Sequence, residues 1–334
     1  MDQLVLRQPD DFHVHLRQGQ SSGDYARDAQ KAGFGRVLVM PNTLPPVADS
    51  RGVANYKRQI EVAATGLQAL MTFKLLPSLD KHTIVEMKNA GAIAGKLYPE
   101  GVTTHSEDGF SKIKDAYPLF EIMEELGVVL CVHGEEPSAF SLDRESAFLP
   151  QFKAIHKTFP RLKMVLEHVS TAQGLDVIRE IGPHTAGTIT IHHMLYTLDE
   201  LLGGPFKPHL FCKPLLKRPE DREALQLAVL EGSPQFFFGS DSAPHTREHK
   251  ESSLCSAGVY TMPVSLSLLA RFFEQHNSLN KMENFVSRFG AEFYELPLNT
   301  GTITLSKEPW TVSKLYHGVV PLMAGETLEW RRTH

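Results

Sequence analysis

Short apolar runs alternate along the chain with longer segments of helical periodicity. The short runs are rich in β-branched and aromatic residues and end in polar residues, as buried strands do. The longer segments place apolar residues three and four positions apart, which is the spacing of an amphipathic helix. This alternation predicts a series of βα units. The predicted strands end near residue 15 and then cover 36–40, 69–76, 92–97, 128–132, 163–166, 187–191 and 236–238, with helices that include 25–32, 51–64 and 117–126.

Eight βα units in 334 residues favour a (β/α)₈ TIM barrel of the α/β class over an open doubly wound sheet. No glycine-rich phosphate-binding fingerprint follows any predicted strand. No linker rich in Gly, Ser or Pro divides the chain, so we expect a single domain over residues 1–334. The tail from about residue 299 contains Pro309, Pro321 and Gly325, and we expect it to be an irregular C-terminal extension packed against the barrel.

The charge balance argues against a nucleic-acid or membrane-surface protein. The formal net charge of -5 arises from mixed signs without a long basic run, so we expect a small-molecule partner, no nucleic acid and no membrane. The sequence starts without a basic and then apolar leader, which leads us to expect a cytoplasmic protein. The three cysteines are far apart and lack CxxC spacing, which predicts neither a disulfide framework nor a thiolate zinc site.

Two histidines, His13 and His15, stand at the end of the first predicted strand. Side chains two positions apart in a strand point the same way, so the two imidazoles converge on one point. Neutral imidazole is a good zinc ligand, and such a pair makes half of a tetrahedral site. The alternative is a strand end that carries two structural histidines.

Further ligand types follow other predicted strands. Lys96, His133, His168 and Asp241 lie at the ends of the fourth, fifth, sixth and eighth strands. In a barrel these ends meet at one mouth, where barrel enzymes hold their catalytic groups. Taken alone, a histidine at a strand end is more often structural, and Asp241 could cap a helix. The joint pattern favours a metal site.

The motifs HVHLRQG, MPN, GKLYP, CVHGEE, LEHVST and GSDSAPH occur in this order. With this spacing, the chain resembles the amidohydrolase superfamily, and within it the type II dihydroorotase family of bacteria and yeast. The resemblance runs from about residue 10 to the EPWTVS and PLMAGETLEW segments, nearly the whole chain. It implies a hydrolase acting on cyclic amide C–N bonds, and a homodimer.

The resemblance also implies two Zn²⁺ ions per subunit. His13, His15 and Asp241 would bind one ion, and His133 and His168 the other. An N6-carboxylated Lys96 would bridge them. Physical chemistry agrees with this role, because two nearby dications push a lysine ammonium toward the neutral amine, which can take up carbon dioxide as a carbamate.

Substrate contacts are implied in the same way. Arg17 and Asn42 would hold a substrate carboxylate, for which the planar guanidinium is suited. Thr103 and Thr104 would belong to a mobile loop that closes over the substrate, and the alternative for this loop is a solvated connection. The resemblance assigns further contacts to His133, Lys213, His245 and Ala257. The pair His192 and His193 has no ligand role in the family, and we expect it to be buried or to support the ligands.

The implied reaction is the reversible cyclisation of N-carbamoyl-L-aspartate to L-dihydroorotate plus water, the third step of de novo pyrimidine biosynthesis. A metal-bridging hydroxide would attack the ring amide, with Asp241 as general base and then acid. Two alternatives remain open: another cyclic amidohydrolase of the hydantoinase, dihydropyrimidinase or allantoinase kind, and a non-catalytic scaffold with the same fold. The former usually carry several tens of residues before the HxH pair, whereas His13 comes early here.

Overall fold

Eight parallel strands form a barrel at the centre of the structure, which confirms the predicted fold. The computed structural model describes residues 2–333, so that Met1 and His334 of the predicted domain lie outside the described residues. Strand β1 (Gln3–Arg7) precedes the barrel. The barrel strands follow one another around the sheet in chain order and are β2 (Asp10–Val14), β3 (Arg36–Val39), β4 (Gln68–Lys74), β5 (Ala92–Leu97), β6 (Val129–Val132), β7 (Met164–Leu166), β8 (Thr185–Ile189) and β9 (Phe236–Phe238).

The barrel is completed between its first and last strands. Val14 of β2 pairs with Ser242, just beyond β9, and the backbone N–H of Asp241 donates to the carbonyl of His13 at 2.9 Å. Elsewhere the strands pair in parallel register, which sets Lys96 of β5 beside Lys74 of β4. The C-terminal ends of all eight strands therefore face one mouth.

Helices surround the barrel, and side-chain caps define several of their starts. Asp49, Asp80 and Thr171 each accept a hydrogen bond from a backbone N–H in the first turn of the following helix. No helix within residues 2–333 is long and apolar enough to cross a membrane. The helices are α1 (Gln20–Ala32), α2 (Ser50–Ala63), α3 (Lys81–Asn89), α4 (Tyr117–Leu126), α5 (Arg144–Thr158), α6 (Ala172–Ile181), α7 (Ile191–Leu195), α8 (Leu198–Leu202), α9 (Pro219–Glu231), α10 (Arg247–Lys250), α11 (Ser265–Gln275) and α12 (Phe289–Phe293).

Apolar side chains fill the N-terminal end of the barrel interior. The ring of Phe12 stacks on Tyr294, directly after α12, with 5.1 Å between centroids, and meets the edge of Phe237 at 5.3 Å. All three side chains are buried. Close packing of this kind leaves no room for a ligand at this end. The opposite end, at the mouth, is where a site can form.

The C-terminal tail differs from the expected irregular structure. It contains strands β10 (Thr302–Ser306), β11 (Trp310–Thr311), β12 (Thr327–Leu328) and β13 (Arg331–Arg332). Strand β10 pairs antiparallel with both β1 and β13, and β11 pairs with β12. Local signals such as Pro309 and Gly325 indicated only the breaks between these strands. The pairing was missed because β10 finds its main partner at the other end of the chain.

Candidate metal centre and active site

The predicted histidine and aspartate ligands lie together at the C-terminal mouth of the barrel. His13, His15 and Asp241 bring ligand atoms within 4.8 Å of one another. The ring centroids of His133 and His168 are 4.7 Å apart, and those of His13 and His168 are 5.1 Å apart. The five residues come from four different strand ends, so the barrel itself assembles the cluster.

Lys96 lies near the end of β5 and is fully buried. Its Nζ atom is 5.3 Å from the centroid of the Tyr98 ring. Burial lowers the pKa of both His133 and His168, and the charge of the nearby Lys96 contributes to each shift. Burial also lowers the pKa of Lys96 itself, which favours the neutral amine. Lys96 thus lies close enough to His133 and His168 to affect their charge, as its position at a strand end predicted.

Carboxylate and amide groups fix the orientation of three of the imidazoles. Nδ1 of His13 donates to Oε2 of Glu167 at 2.7 Å, and Nε2 of His133 donates to Oε2 of Glu135 at 2.7 Å. Nδ1 of His15 faces Oδ1 of Asn42 at 2.8 Å. Partners of this kind set the tautomer of a metal-binding histidine and leave its other nitrogen free to bind.

The free nitrogens converge on a carboxylate. Nε2 of His15 lies 3.1 Å and Nε2 of His13 lies 3.5 Å from Oδ1 of Asp241. Burial lowers the pKa of His15 to about 4, so this ring is neutral near pH 7. In the tautomers set by Asn42 and Glu167, both Nε2 atoms carry lone pairs. Lone pairs and a carboxylate oxygen at these distances repel one another unless a cation lies between them.

Buried polar atoms without partners give a second test of metal binding. Within the described part of the chain, Nζ of Lys96 and Nδ1 of His168 have no hydrogen-bond partner. A buried polar atom left unpaired costs about 1–3 kcal/mol, and folded proteins rarely retain one without a functional reason. Imidazole, carboxylate and a modifiable lysine are ligand types suited to zinc and related ions. The residues present therefore fit a divalent metal centre.

Asp241 is ionised at the centre of the cluster. Burial raises the pKa of Asp241, whereas positive charge beside it, from a proton on His15 or His13 or from a cation between these groups, holds the pKa of this carboxyl below its usual range. Glu167 behaves similarly, because His13 and Lys96 lower its pKa despite its burial. Both acids are therefore negatively charged near neutral pH and can balance bound cations.

Three site residues adopt left-handed backbone conformations. The φ angles are 61° at Arg17, 43° at His168 and 44° at Asp241. Such a conformation costs a non-glycine residue on the order of 1–3 kcal/mol and persists where surrounding contacts enforce it. The backbone N–H of His168 donates to Oγ1 of Thr188 at 2.7 Å, and that of Asp241 donates to the carbonyl of His13. The surrounding contacts thus hold these side chains in position at a cost in local stability.

A cavity at the mouth joins the metal ligands to the predicted substrate contacts. Tyr98, Ala243 and Gly258 also line it, and sequence reasoning did not identify them. His245 lies outside this cavity, in an adjoining depression that Arg17 and Asn42 share. The predicted residues that line the cavity are His13, His15, Arg17, Asn42, Thr103, Thr104, His133, His168, Lys213, Asp241 and Ala257.

Backbone contacts hold Arg17 in place beside the cavity. Its Nε donates to the carbonyl of Pro244 at 2.8 Å, and its Nη2 lies 2.8 Å from Nε2 of His245. Burial lowers the pKa of His245 to about 2, so its ring is neutral. The same Nε2 lies 3.0 Å from the carbonyl of Ala257, so the ring packs between the guanidinium and the Ala257 segment.

The loop that carries Thr103 and Thr104 lies against the site. Nδ2 of Asn42 donates to the carbonyl of Thr104 at 3.1 Å, and Nζ of Lys74 donates to the carbonyl of His105 at 2.6 Å. Asn42 therefore contacts both a metal-ligand histidine, His15, and the loop. It links the loop position to the metal centre.

The pair His192 and His193 lies on the short helix α7 rather than on a strand. Strand β8 ends at Ile189, two residues before the predicted end, because Thr190 caps α7. Both histidines are buried, as expected. Nε2 of His193 lies 3.0 Å from the carbonyl of Pro214, which can only accept, so this nitrogen carries a proton. Nδ1 of His193 lies 2.8 Å from Oγ1 of Thr190, so both nitrogens of His193 have partners, whereas within residues 2–333 neither ring nitrogen of His192 has one.

The chain is similar to known proteins over almost its whole length. Residues 11–315 match the amidohydrolase family. A dihydroorotase from Marinobacter nauticus is 43% identical over 339 residues, which cover 98% of each chain. The crystal structure of dihydroorotase in complex with 5-fluoroorotic acid from Saccharomyces cerevisiae has a TM-score of 0.95 at 32% identity, and covers 100% of this chain and 99% of that one.

The chain belongs to the amidohydrolase family, and it is a hydrolase that acts on cyclic amide bonds. Within that family, its full-length similarity is to the dihydroorotases. An L-hydantoinase (dihydropyrimidinase) from Arthrobacter aurescens has a TM-score of 0.85 at only 16% identity, which shows a shared fold alone. The predictions of family and of enzymatic activity are confirmed.

Proposed function

We propose that this chain is a metal-dependent dihydroorotase that interconverts N-carbamoyl-L-aspartate and L-dihydroorotate plus water, the third step of de novo pyrimidine biosynthesis. The observation that carries the proposal is a single cavity. It is lined by imidazole and carboxylate groups that can bind a metal, and by Arg17 and Asn42, which can bind a carboxylate. Full-length similarity to a bacterial and a yeast dihydroorotase supports it. A plain hydantoin has no carboxylate for Arg17 to bind.

The metal would be held by the residues that converge at the mouth. His13, His15 and Asp241 would bind one ion, and His133 and His168 a second, with carboxylated Lys96 between them. The chemistry that such ions supply when bound is Lewis acidity and the activation of water near neutral pH. Support comes from the converging lone pairs of His13 and His15 and from the unpaired Nζ of Lys96.

Arg17 and Asn42 would orient the substrate through its carboxylate. Arg17 is suited because Pro244 and His245 already fix its guanidinium, so little conformational freedom is lost on binding. Backbone groups of Lys213 and Ala257, with His133, would complete the contacts, and the Thr103–Thr104 loop would exclude water from the closed site.

Asp241 would move the proton. In hydrolysis a C–O bond forms at the ring amide carbon while the C–N bond breaks. Asp241 accepts the proton that the attacking water loses and delivers it to the leaving ring nitrogen, which gives N-carbamoyl-L-aspartate. Cyclisation runs these steps in reverse and releases water. The ionised state of Asp241 in this structure suits its role as the first acceptor.

The proposal extends to zinc as the metal and to a single-domain subunit that works as a cytoplasmic homodimer. These features are implied by the family resemblance. The proposed activity does not depend on them.

A direct assay tests the activity. Purified protein is added to N-carbamoyl-L-aspartate at mildly acidic pH, and to L-dihydroorotate at alkaline pH, and ring closure or opening is followed with and without a chelator. We expect turnover of both compounds, abolished by the chelator and restored by zinc. Hydantoin and allantoin serve as comparison substrates. Faster turnover of either one than of dihydroorotate would contradict the proposal.

A further inference from the structure

A buried ammonium group joins two loops beside the cavity. Lys250, the last residue of α10, is 2% exposed. Its Nζ donates to the carbonyls of Phe211, Ser256 and Gly258 at 2.9, 2.8 and 2.8 Å. An ammonium has three protons, so each one is used. Among the residues that the structure describes, no carboxylate forms an ion pair with it, which is unusual because buried lysines are normally paired with an acid.

The three carbonyls belong to the two segments that carry the proposed backbone contacts to the substrate. Phe211 stands two residues before Lys213, and Ser256 and Gly258 flank Ala257. The segments also meet directly, because the backbone N–H of Gly258 donates to the carbonyl of Phe211 at 2.8 Å. The ammonium therefore stabilises a junction whose two sides both line the cavity.

Local geometry makes this junction sensitive to small movements. Gly258 has a φ of 148°, and a Cβ atom there would lie 2.5 Å from the carbonyl oxygen of Ala243, another residue of the cavity wall. The carbonyl of Ala257 lies 3.0 Å from Nε2 of His245, and the same atom lies 2.8 Å from Nη2 of Arg17. A shift of the segment around Ala257 would reach the carboxylate-binding arginine through His245.

We propose that Lys250 is a positioning residue for substrate binding, which fixes the backbone around Lys213 and Ala257 by donating to three carbonyls from the two segments. This inference rests on the proposed function. Lys250 is part of neither the cavity wall nor the cluster of metal ligands. Its effect is therefore on substrate affinity and not on metal binding.

The charge state of Lys250 gives the role a pH dependence. Burial lowers the pKa of this lysine to about 8, and the charged or titratable groups that face it are Cys212, Cys255, Arg17, His192 and His245. Above that pH the neutral amine has only two protons, so one of the three carbonyls loses its donor. Substrate affinity should therefore fall as the pH rises through about 8.

The test compares Lys250→Met with Lys163→Met. Lys163 also donates to a backbone carbonyl, that of Phe293 at 2.9 Å, but at the N-terminal end of the barrel. The probes are the dissociation constant of 5-fluoroorotate by calorimetry, KM and kcat for N-carbamoyl-L-aspartate, and metal content. For Lys250→Met we expect the dissociation constant and KM to rise about tenfold or more, because a small misplacement of binding groups has effects of this size. The kcat and metal content should change little, and Lys163→Met should resemble the wild type.

Unchanged affinity in Lys250→Met, or a loss confined to kcat or metal content, would overturn the assignment. If Lys250→Met does not fold, the pH series decides: KM of the wild type should rise above about pH 8, and KM of Lys250→Arg, which stays charged, should not. A wild-type KM that is flat to pH 10 would contradict the positioning role. A wild-type enzyme inactive on N-carbamoyl-L-aspartate would instead remove the proposed function.

Discussion

The two ends of the same barrel are built in opposite ways. At the N-terminal end, Phe12, Phe237 and Tyr294 pack ring against ring, and the hydroxyl of Tyr294 lies 3.2 Å from Sγ of Cys131. At the C-terminal end, Lys96 and His168 leave buried polar atoms unpaired. One end stabilises the fold, and the other keeps its polar groups free for ligands at a cost in stability.

Backbone strain at the mouth falls on residues of the site. Left-handed φ angles occur at Arg17, His168 and Asp241, whereas Glu295 at the other end, also left-handed, is an exposed residue after α12. The strain is tolerated because the rest of the barrel is well packed. Substitutions at the mouth should therefore lower activity more than stability, and substitutions at the N-terminal end should lower stability more than activity.

The largest effect is expected at Asp241. Asp241→Ala removes the proposed proton acceptor and a metal ligand, so turnover in both directions should fall about 10³-fold or more. Circular dichroism should show a folded protein. The matched control is Asp10→Ala at the other end of the barrel, which breaks the buried ion pair with Arg36 at 2.6 Å. It should lower stability while turnover per folded molecule persists. Near-wild-type turnover in Asp241→Ala would refute the role.

A substitution in the apolar end should have the reverse outcome. Tyr294→Ala removes a buried ring that stacks on Phe12, so the free energy of unfolding should fall by about 3 kcal/mol or more. Denaturant titration measures this change. The kcat of the folded fraction should stay near the wild-type value. A variant of unchanged stability but reduced kcat would contradict the division between the two ends.

A smaller effect on metal affinity is expected for residues that hydrogen-bond to the proposed metal ligands. Glu167→Gln weakens the hydrogen bond that orients His13, so metal affinity should fall about 10–100-fold. Competition with a chelator of known affinity gives the measurement. Glu136→Gln is a suitable control, because Glu136 binds Ser138 and Gln151 outside the cluster. Equal metal affinity in both variants would show that Glu167 does not support the centre.

Much of the fold was predictable because each barrel strand is an apolar run that ends in polar residues. Strands β5 and β9 have the predicted bounds. The sheet of β1, β10 and β13 was not predictable, since its strands are short and pair across almost the full length of the chain. Sequence patterns report local structure, and this sheet depends on contacts that only the folded chain brings together.

The site was predictable to a similar degree. The histidines, Lys96 and Asp241 stand out at strand ends, whereas the carboxylated, bridging role of Lys96 was identified only through the resemblance carried by GKLYP. Glu135 and Glu167 were missed. Glu135 lies two residues after His133 and could have been identified as its hydrogen-bond partner, whereas Glu167 follows no local signal because it binds His13 on another strand. Gly258 and Lys250 gave no signal, because their roles depend on backbone geometry between loops.

The most direct test of the dinuclear centre is a crystal structure of the purified enzyme with metal analysis of the same sample. We expect two metal ions per chain, held by His13, His15, His133, His168 and Asp241, and a carboxylated Lys96 between them. The Lys96→Ala variant should lose at least one ion. An unmodified Lys96 amine in an active enzyme with both ions bound, or full activity without metal, would contradict the account.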